Sequence, residues 1–283
     1  MEQQSNILEE ILASYYQLTS SERHLADFVL SQYSRVQFMS ISELAEASEV
    51  SESTVSRFCK NIGLRGFSQF KIELAGYVAS TAPAKDTAET DADNLENRTR
   101  ESGRLVMDAV HQTIEMSDVQ AIEQAVDYLV SAGHVLCIGS GGSMIIATEC
   151  AHLFSLVTHK FTAISDSHRQ LTSAATMDTH DAIILFSYSG ATTDGIDVLQ
   201  FAKSRGIRTI LVTRFKKSPA AKLADIVLCC GSCEGPYQVG SIPAAVAQLI
   251  IIDVLFKEYC FRNREKAEER IRQVAAAVSV KHI

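Results

Sequence analysis

A chain of 283 residues, 46% of them hydrophobic, is long enough for two domains with sizeable cores, since one domain takes about 100 to 200 residues. Its 26 basic and 34 acidic residues give a net charge of −8, which excludes a nucleic-acid binder that works by bulk charge and leaves room only for a local basic face. The longest apolar stretch, Ala244 to Phe256, is broken by Gln248 and Asp253 and falls short of the roughly 20 residues a membrane helix needs. With no charged segment and apolar core at the N-terminus, the expectation is a soluble cytoplasmic protein that does not engage a membrane.

Residues 1–80 read as short helices. Leu8, Ile11, Leu12 and Tyr15 keep a helical stripe, and Thr19-x-x-Glu22 is a capping box that opens a helix through Leu25, Phe28 and Val29. Ser40-x-x-Glu43 caps another helix, on which Leu44, Ala45 and Ala47 lie. Ser48, Glu49 and Val50 make a turn, and Ser51 caps a further helix with Val55, Phe58 and Ile62 on its inner face. A small residue such as Ala45 suits the close crossing of two helices, and Val50 plugs the corner. This is a helix-turn-helix, whose second helix enters the major groove of DNA by its N-terminal residues. Outward on that helix lie Glu52, Ser53, Ser56, Arg57 and Lys60, with Thr54 near its start. Ser53, Thr54, Ser56, Arg57 and Lys60 are the candidate DNA contacts, because arginine reads guanine edges and hydroxyls bond bases or phosphates. From Ser53 to Ile72 the charged residues are Arg57, Lys60, Arg65 and Lys71, with no acid among them. The whole segment to Ser80 carries ten acids against six bases, so the basic face is local.

Residues 81–97 turn polar, with Pro83 and the acids Asp86, Glu89, Asp91, Asp93 and Glu96 against Lys85, and are the expected linker. Beyond it, helical patterns over Arg100 to Glu115 and Val119 to Val130 lead into alternating strands and helices. The apolar runs predict strands near Val135 to Ile138, Lys160 to Ile164, Ala182 to Phe186, Arg208 to Thr213 and Ile226 to Cys229. Strands that alternate with helices imply βαβ units and a parallel sheet, which binds ligands at the carboxyl ends of its strands. Seven scattered cysteines fit a reducing compartment. Cys230-x-x-Cys233 has metal or redox spacing, but no second pair or neighbouring histidine completes a site, so neither metal nor cofactor is expected.

Two of the strand ends carry hydroxyls. The run to Phe186 ends in Ser187, Tyr188, Ser189, Gly190, Ala191 and Thr192, and the run to Ile138 in Gly139, Ser140, Gly141, Gly142 and Ser143. Glycine lets the backbone turn tightly, a helix start offers free N–H groups and the positive end of its dipole, and the hydroxyls can bond phosphate oxygens. Two such loops suggest one phosphorylated ligand. Gly139-x-Gly141 also begins a dinucleotide fingerprint, with Asp166 as a ribose-binding acid, but Met144 stands where the third glycine belongs.

The motifs Thr19 with Glu22-Arg23, Ser42-x-Leu44-Ala45, Val50-Ser51, Thr54-Val55, Arg57-Phe58 and Gly66-Phe67-x-x-Phe70-Lys71 resemble the DNA-binding domain of the RpiR family of bacterial regulators. Gly139-x-Gly141-x-Ser143, Asp166-x-His168, Ser187-Tyr188-Ser189-Gly190-x-Thr192, Ser218-Pro219 and Ala224-Asp225 resemble that family's sugar isomerase (SIS) domain. Glu49 departs from the pattern, since the family's turn usually has a small residue or glycine there and a non-glycine residue at positive φ is disfavoured. The resemblance implies an all-α helix-turn-helix domain followed by an α/β three-layer SIS domain with a five-stranded parallel sheet. It divides the chain into a DNA-binding domain over 1–80, a linker over 81–97 and a phosphosugar-binding domain with flanking helices over 98–283. It implies a transcription regulator of carbohydrate metabolism that senses a phosphosugar. Ser143, Ser187, Ser189 and Thr192 are then expected to hold the phosphate, Tyr188 to line the pocket, and Ser140 to join them. His168 stays open between a ligand group and a capping or solvated histidine.

The rival expectation is a phosphosugar isomerase or lyase on the same fold, which needs a tuned acid or base beside the sugar carbons. Glu149, Glu234 and His168 are the available groups, and none sits in a catalytic pattern, so no catalytic residue is assigned. A reading head needs a partner head, so a homodimer or homotetramer on a palindromic operator is expected. Ile250 to Phe256 and the helix near Glu268 to Val280 are the candidate contacts, with burial in their own core the alternative.

Overall fold

The computed structural model describes residues 7–81, 95–231 and 241–280. They divide into two compact units, and the division falls between Glu101 and Ser102. No helix among the described residues is long and apolar enough to cross a membrane.

The first unit is helical: α1 (Ile7–Ser14), a short 3-10 turn (Tyr15–Gln17), α2 (Ser20–Val36), α3 (Ile41–Ala47), α4 (Glu52–Asn61) and α5 (Phe67–Thr81). Polar caps start these helices where the sequence places them. The Ser40 side chain accepts from the Glu43 amide at 3.1 Å while the Glu43 carboxylate takes the Ser40 amide at 2.8 Å, and Ser51 accepts from the Thr54 amide at 3.1 Å. α2 packs on α4 and α5, and α3 on α4. The helices enclose Leu25, Leu44, Val55, Phe58, Phe70 and Leu74, with Phe58 edge-on to Phe70 at 6.0 Å.

The turn between α3 and α4 closes as the sequence predicts, with the Val50 amide donating to the Ala45 carbonyl at 2.8 Å and the Ser48 hydroxyl to the Leu44 carbonyl at 2.6 Å. This closure puts Glu49 at φ +54°, and among the described residues no other non-glycine residue has positive φ. A side chain in that region costs about 1 to 2 kcal/mol, part of which glycine regains against its own greater entropy in the unfolded chain. Glu49→Gly should therefore stabilise the helical unit by about 1 kcal/mol in thermal or urea melts; an unchanged or lower stability would show that the turn holds glutamate without strain.

The second unit takes in the later part of α6 (Leu95–Glu115), then α7 (Val119–Ser131), β1 (Val135–Gly139), α8 (Gly142–Ser155), β2 (Phe161–Ala163), α9 (Ser167–Ala175), β3 (Ala182–Phe186), α10 (Thr193–Arg205), β4 (Arg208–Thr213), β5 (Ile226–Cys229), α11 (Ile242–Arg262) and α12 (Arg264–Ser279). The predicted strands are found, β2 being shorter than its apolar run. α6 starts at Leu95, so residues 95–97 of the expected linker are helical.

The five strands are parallel in the order β2-β1-β3-β4-β5. Side chains alternate between faces, and both faces are covered, which is why β1 and β3 are apolar throughout. Val135, Cys137, Ile184, Phe186, Ile210 and Val212 join one core with α7, α8 and α11. Leu136, Ile138, Ile183, Leu185 and Leu211 join another, with α9 and α10. The result is a three-layer α/β/α unit.

Candidate functional site

The strand order fixes where a ligand can sit. From β1 the chain moves outward to β2, then returns to place β3 on the other side of β1, and the crevice at such a reversal lies beyond the carboxyl ends of the two central strands. Gly139 and Phe186, the last residues of β1 and β3, are partners in register, so the two hydroxyl loops leave the sheet side by side.

Each loop is shaped by glycine. A Cβ on Gly139 would stand 2.7 Å from the Ser143 carbonyl oxygen, so only glycine lets α8 begin this close to the strand end. Gly141, at φ +56° and ψ −129°, precedes α8 and has no side chain to cap it. Ser140 is exposed and its carbonyl accepts from the Ser143 amide at 3.2 Å; Ser143 is half-buried in the first turn of α8. In the second loop Ser187 is buried, and its hydroxyl lies 3.4 Å from that of Thr192. Ser189 is exposed, its Oγ accepting from the Ala191 amide at 3.2 Å. Tyr188 is half-buried against Phe215, and its carbonyl takes the Arg214 amide and the Thr213 hydroxyl at 3.0 and 3.1 Å. Thr192 is the N-cap of α10, yet its side chain bonds no helix amide.

The helix starts of this unit therefore differ. Asp118, Asp166 and Ser241 cap α7, α9 and α11 with side-chain acceptors, whereas α8 and α10, the helices that leave the two loops, have none, and neither has α12, which starts at the end of α11 away from them in sequence. Helix starts without a side-chain cap, with the positive ends of their dipoles, are the features that hold an anion, although in α8 the Ser143 and Met144 amides also meet the Ser140 and Gly141 carbonyls at 3.2 and 3.0 Å. His168 lies exposed in the first turn of α9, just after Asp166, whose carboxylate takes the Arg169 amide at 2.8 Å.

Sequence reasoning missed Gln170. It is buried, and its amide donates to the Gly139 carbonyl at 2.9 Å and the Ile164 carbonyl at 2.8 Å, tying the ends of β1 and β2 to α9. A glutamine inside a helical pattern carries no local signal of this role. Ser218, which the sequence offers only within the Ser218-Pro219 motif, is fully buried, and its side chain lies against Gly190. Glu149 is exposed on α8, and both Glu234 and Cys233 lie outside the described residues.

On the helix-turn-helix, Ser53, Arg57 and Lys60 form an exposed stripe along α4, and Ser56 is half-buried beside it. Thr54 packs against the cap of α4. It is 7% exposed, and its amide and hydroxyl both lie against Ser51 Oγ at 3.1 and 2.9 Å. Glu52 is held by the Ser42 hydroxyl at 2.7 Å, which ties α3 to α4. Of the four basic residues, Arg57, Lys60 and Arg65 are exposed, while Lys71 is half-buried with its ammonium 5.9 Å from the Phe67 ring. Burial pushes the Cys59 thiol behind α4 up to about 12, so it stays a neutral core group.

Comparison with known proteins agrees with this architecture. Residues 5–81 match the family model described as "Helix-turn-helix domain, rpiR family", and residues 128–258 match the SIS domain model. An uncharacterized HTH-type transcriptional regulator of Caldanaerobacter subterraneus is 33% identical over 250 residues, covering 88% of either chain. The Escherichia coli regulator HexR is 28% identical over 276 residues, covering 96% of this chain and 94% of its own. Among solved structures, the Vibrio vulnificus NanR protein complexed with ManNAc-6P superposes with a TM-score of 0.87 at 25% identity, covering 96% of this chain and 98% of that one. A helix-turn-helix unit joined to a doubly wound SIS sheet defines an HTH-type transcriptional regulator. The chain belongs to the rpiR family of these regulators.

Proposed function

We propose that this regulator senses a phosphorylated sugar in the β1/β3 crevice and reads operator DNA with α4. The observation that carries the reading is the pair of uncapped helix starts, α8 and α10, set side by side behind Ser140, Ser143, Ser187, Ser189 and Thr192. A phosphate there meets two dipole ends and several hydroxyl donors. The NanR structure named above contains a sugar phosphate, which supports this ligand class. A hydroxyl bonded to a charged phosphate contributes about 1.5 to 3 kcal/mol. Ser189→Ala should thus weaken sugar-phosphate binding about tenfold or more in calorimetry against a panel of phosphosugars. Unchanged affinity, or equal affinity for the unphosphorylated sugar, would refute the site.

Regulation is favoured over isomerase or lyase chemistry. The relatives are named as regulators, and Glu149 and His168 both stand exposed to solvent. Turnover of any member of the same panel would reverse that preference.

The working form is a homo-oligomer in the cytoplasm on a palindromic operator, with residues 81–97 joining the reading head to the sensing domain. Of the two candidate contacts, Ile250 to Phe256 is largely taken by its own core through Ile251, Ile252 and Leu255. α12 is the better surface, because Ile271 and Val278 are 44% and 45% exposed while Ala267, earlier on the same stripe, is buried. Effector and operator then alter each other's affinity by one common factor.

A further inference from the structure

The N-terminus of α2 and the outer face of α4 meet in one carboxylate. Glu22, at the third helical position of α2, is fully buried. Its Oε2 accepts from the Thr19 amide at 2.9 Å and the Thr19 hydroxyl at 2.7 Å, and its Oε1 accepts from Arg57 Nε at 3.1 Å and Asn61 Nδ2 at 2.8 Å. Burial pushes the Glu22 carboxyl up, but the bonds from Thr19 and Arg57 outweigh it and hold the group below its ordinary value of 4.5, as an anion. The partner arginine is only half in this knot: 57% of its side chain is exposed.

Arginine has two hydrogen-bonding edges, and Glu22 takes the Nε corner. The terminal nitrogens, which pair bidentately with a phosphate or with guanine, belong to a side chain that stays more than half exposed on the stripe of Ser53 and Lys60. Among the described residues they have no protein partner. A free arginine side chain loses much rotamer entropy when it binds DNA; one already held by its Nε loses less. Charge alone makes Glu22 a liability at a DNA surface, since an anion there repels phosphates. Its full burial and four donors explain why it is placed there regardless.

We infer that Glu22 is a positioning residue for DNA recognition: it fixes Arg57 by Nε so that the guanidinium's terminal edge is presented to the major groove or its flanking phosphates. The inference rests on the proposed reading of DNA by α4, and it adds a residue on another helix that touches no DNA.

The test uses the full-length protein and a DNA duplex that the wild type selects from a random pool. Affinities and salt slopes are measured for wild type, Glu22→Gln, Arg57→Lys and the double variant, with thermal melts alongside. Glutamine still serves a capping box, so α2 keeps its start, and Arg57→Lys keeps the charge while removing the second edge. Both single variants are expected to bind about tenfold more weakly, and the double variant no more weakly than either, because both break the same element. Charge alone predicts the opposite for Glu22→Gln, namely tighter binding. A merely structural role predicts that its loss persists undiminished when Arg57 is already lysine. Either outcome overturns the inference, as does an Arg57→Lys protein that binds like wild type, a result that stands even if Glu22→Gln proves too unstable to assay. A wild type that selects no duplex overturns the DNA-reading function and this inference together; selection by the wild type with unaffected variants overturns the inference alone.

Discussion

Gly190→Ala should cost the protein the phosphosugar affinity proposed for it while leaving the rest of the sheet folded. Gly190 has φ +60°, and a Cβ there would stand 2.0 Å from Ser218 Oγ and 2.5 Å from Ser218 Cβ. Ser218 cannot retreat, because it is fully buried and its neighbour Ala220 donates its amide to the Gly190 carbonyl at 2.9 Å. Left-handed strain of about 1 to 2 kcal/mol adds to an overpacking cost of about 1 to 3 kcal/mol, and the loop between β3 and α10 relieves both by moving. That movement carries Ser189 and the start of α10 away from the crevice, and each hydroxyl bond to a charged phosphate lost in this way costs about 1.5 to 3 kcal/mol, or about tenfold or more in affinity. Calorimetry with the phosphosugar that binds wild type should register the loss, and Gly190→Ala with Ser218→Gly should recover part of it. Wild-type affinity in the single variant would show that the loop is not the phosphate cradle.

Phe154→Ala should produce a large loss of stability in the sheet domain. The ring is fully buried, stacks on Phe161 at 4.0 Å, and stands edge-on to Phe256 and Tyr259, each at 5.4 Å. It therefore joins α8, β2 and α11 at one point. Removing a buried phenylalanine costs about 3 to 5 kcal/mol through lost transfer energy and the cavity left behind. Urea unfolding followed by a signal from the sheet domain should show this as a lowered midpoint with an unchanged slope. Ligand affinity of the remaining folded protein should change little, since Phe154 lies about 18 Å along α8 from its first residue at 1.5 Å per residue. A loss below about 1 kcal/mol would mean that the neighbouring rings collapse into the space.

Much of this protein is legible without coordinates, for reasons that are local. Both faces of the central strands are covered by helices, so Ala182–Phe186 reads as an uninterrupted apolar run, Arg208–Thr213 reads as a strand around its apolar centre Ile210–Val212, and the predicted bounds coincide with the strands' ends. Ser40, Glu43 and Ser51 announce helix starts because a cap bonds an amide a few residues away. The two hydroxyl loops stand out because each directly follows a strand. Glu49 announces a strained turn because the conformational penalty belongs to the residue itself.

What tertiary structure alone decided involves partners far apart in the chain. The order β2-β1-β3-β4-β5 brings the two loops to one crevice, and strand order is set by crossovers that no periodicity records. Position in the helix start makes Thr54 a candidate DNA contact, and only packing shows that it is buried with its hydroxyl on Ser51. Gln170 supports the loop after β1 from 31 residues away, and Ser218 closes off the space beside Gly190. Glu22 announces a capping box in the sequence, but its hold on Arg57, 35 residues later, arises only when α2 packs against α4. Caps, strands and turns satisfy backbone groups within a few residues and so are written locally; the site is made of side chains satisfied across helices and strands, and those partners exist only once the chain has folded.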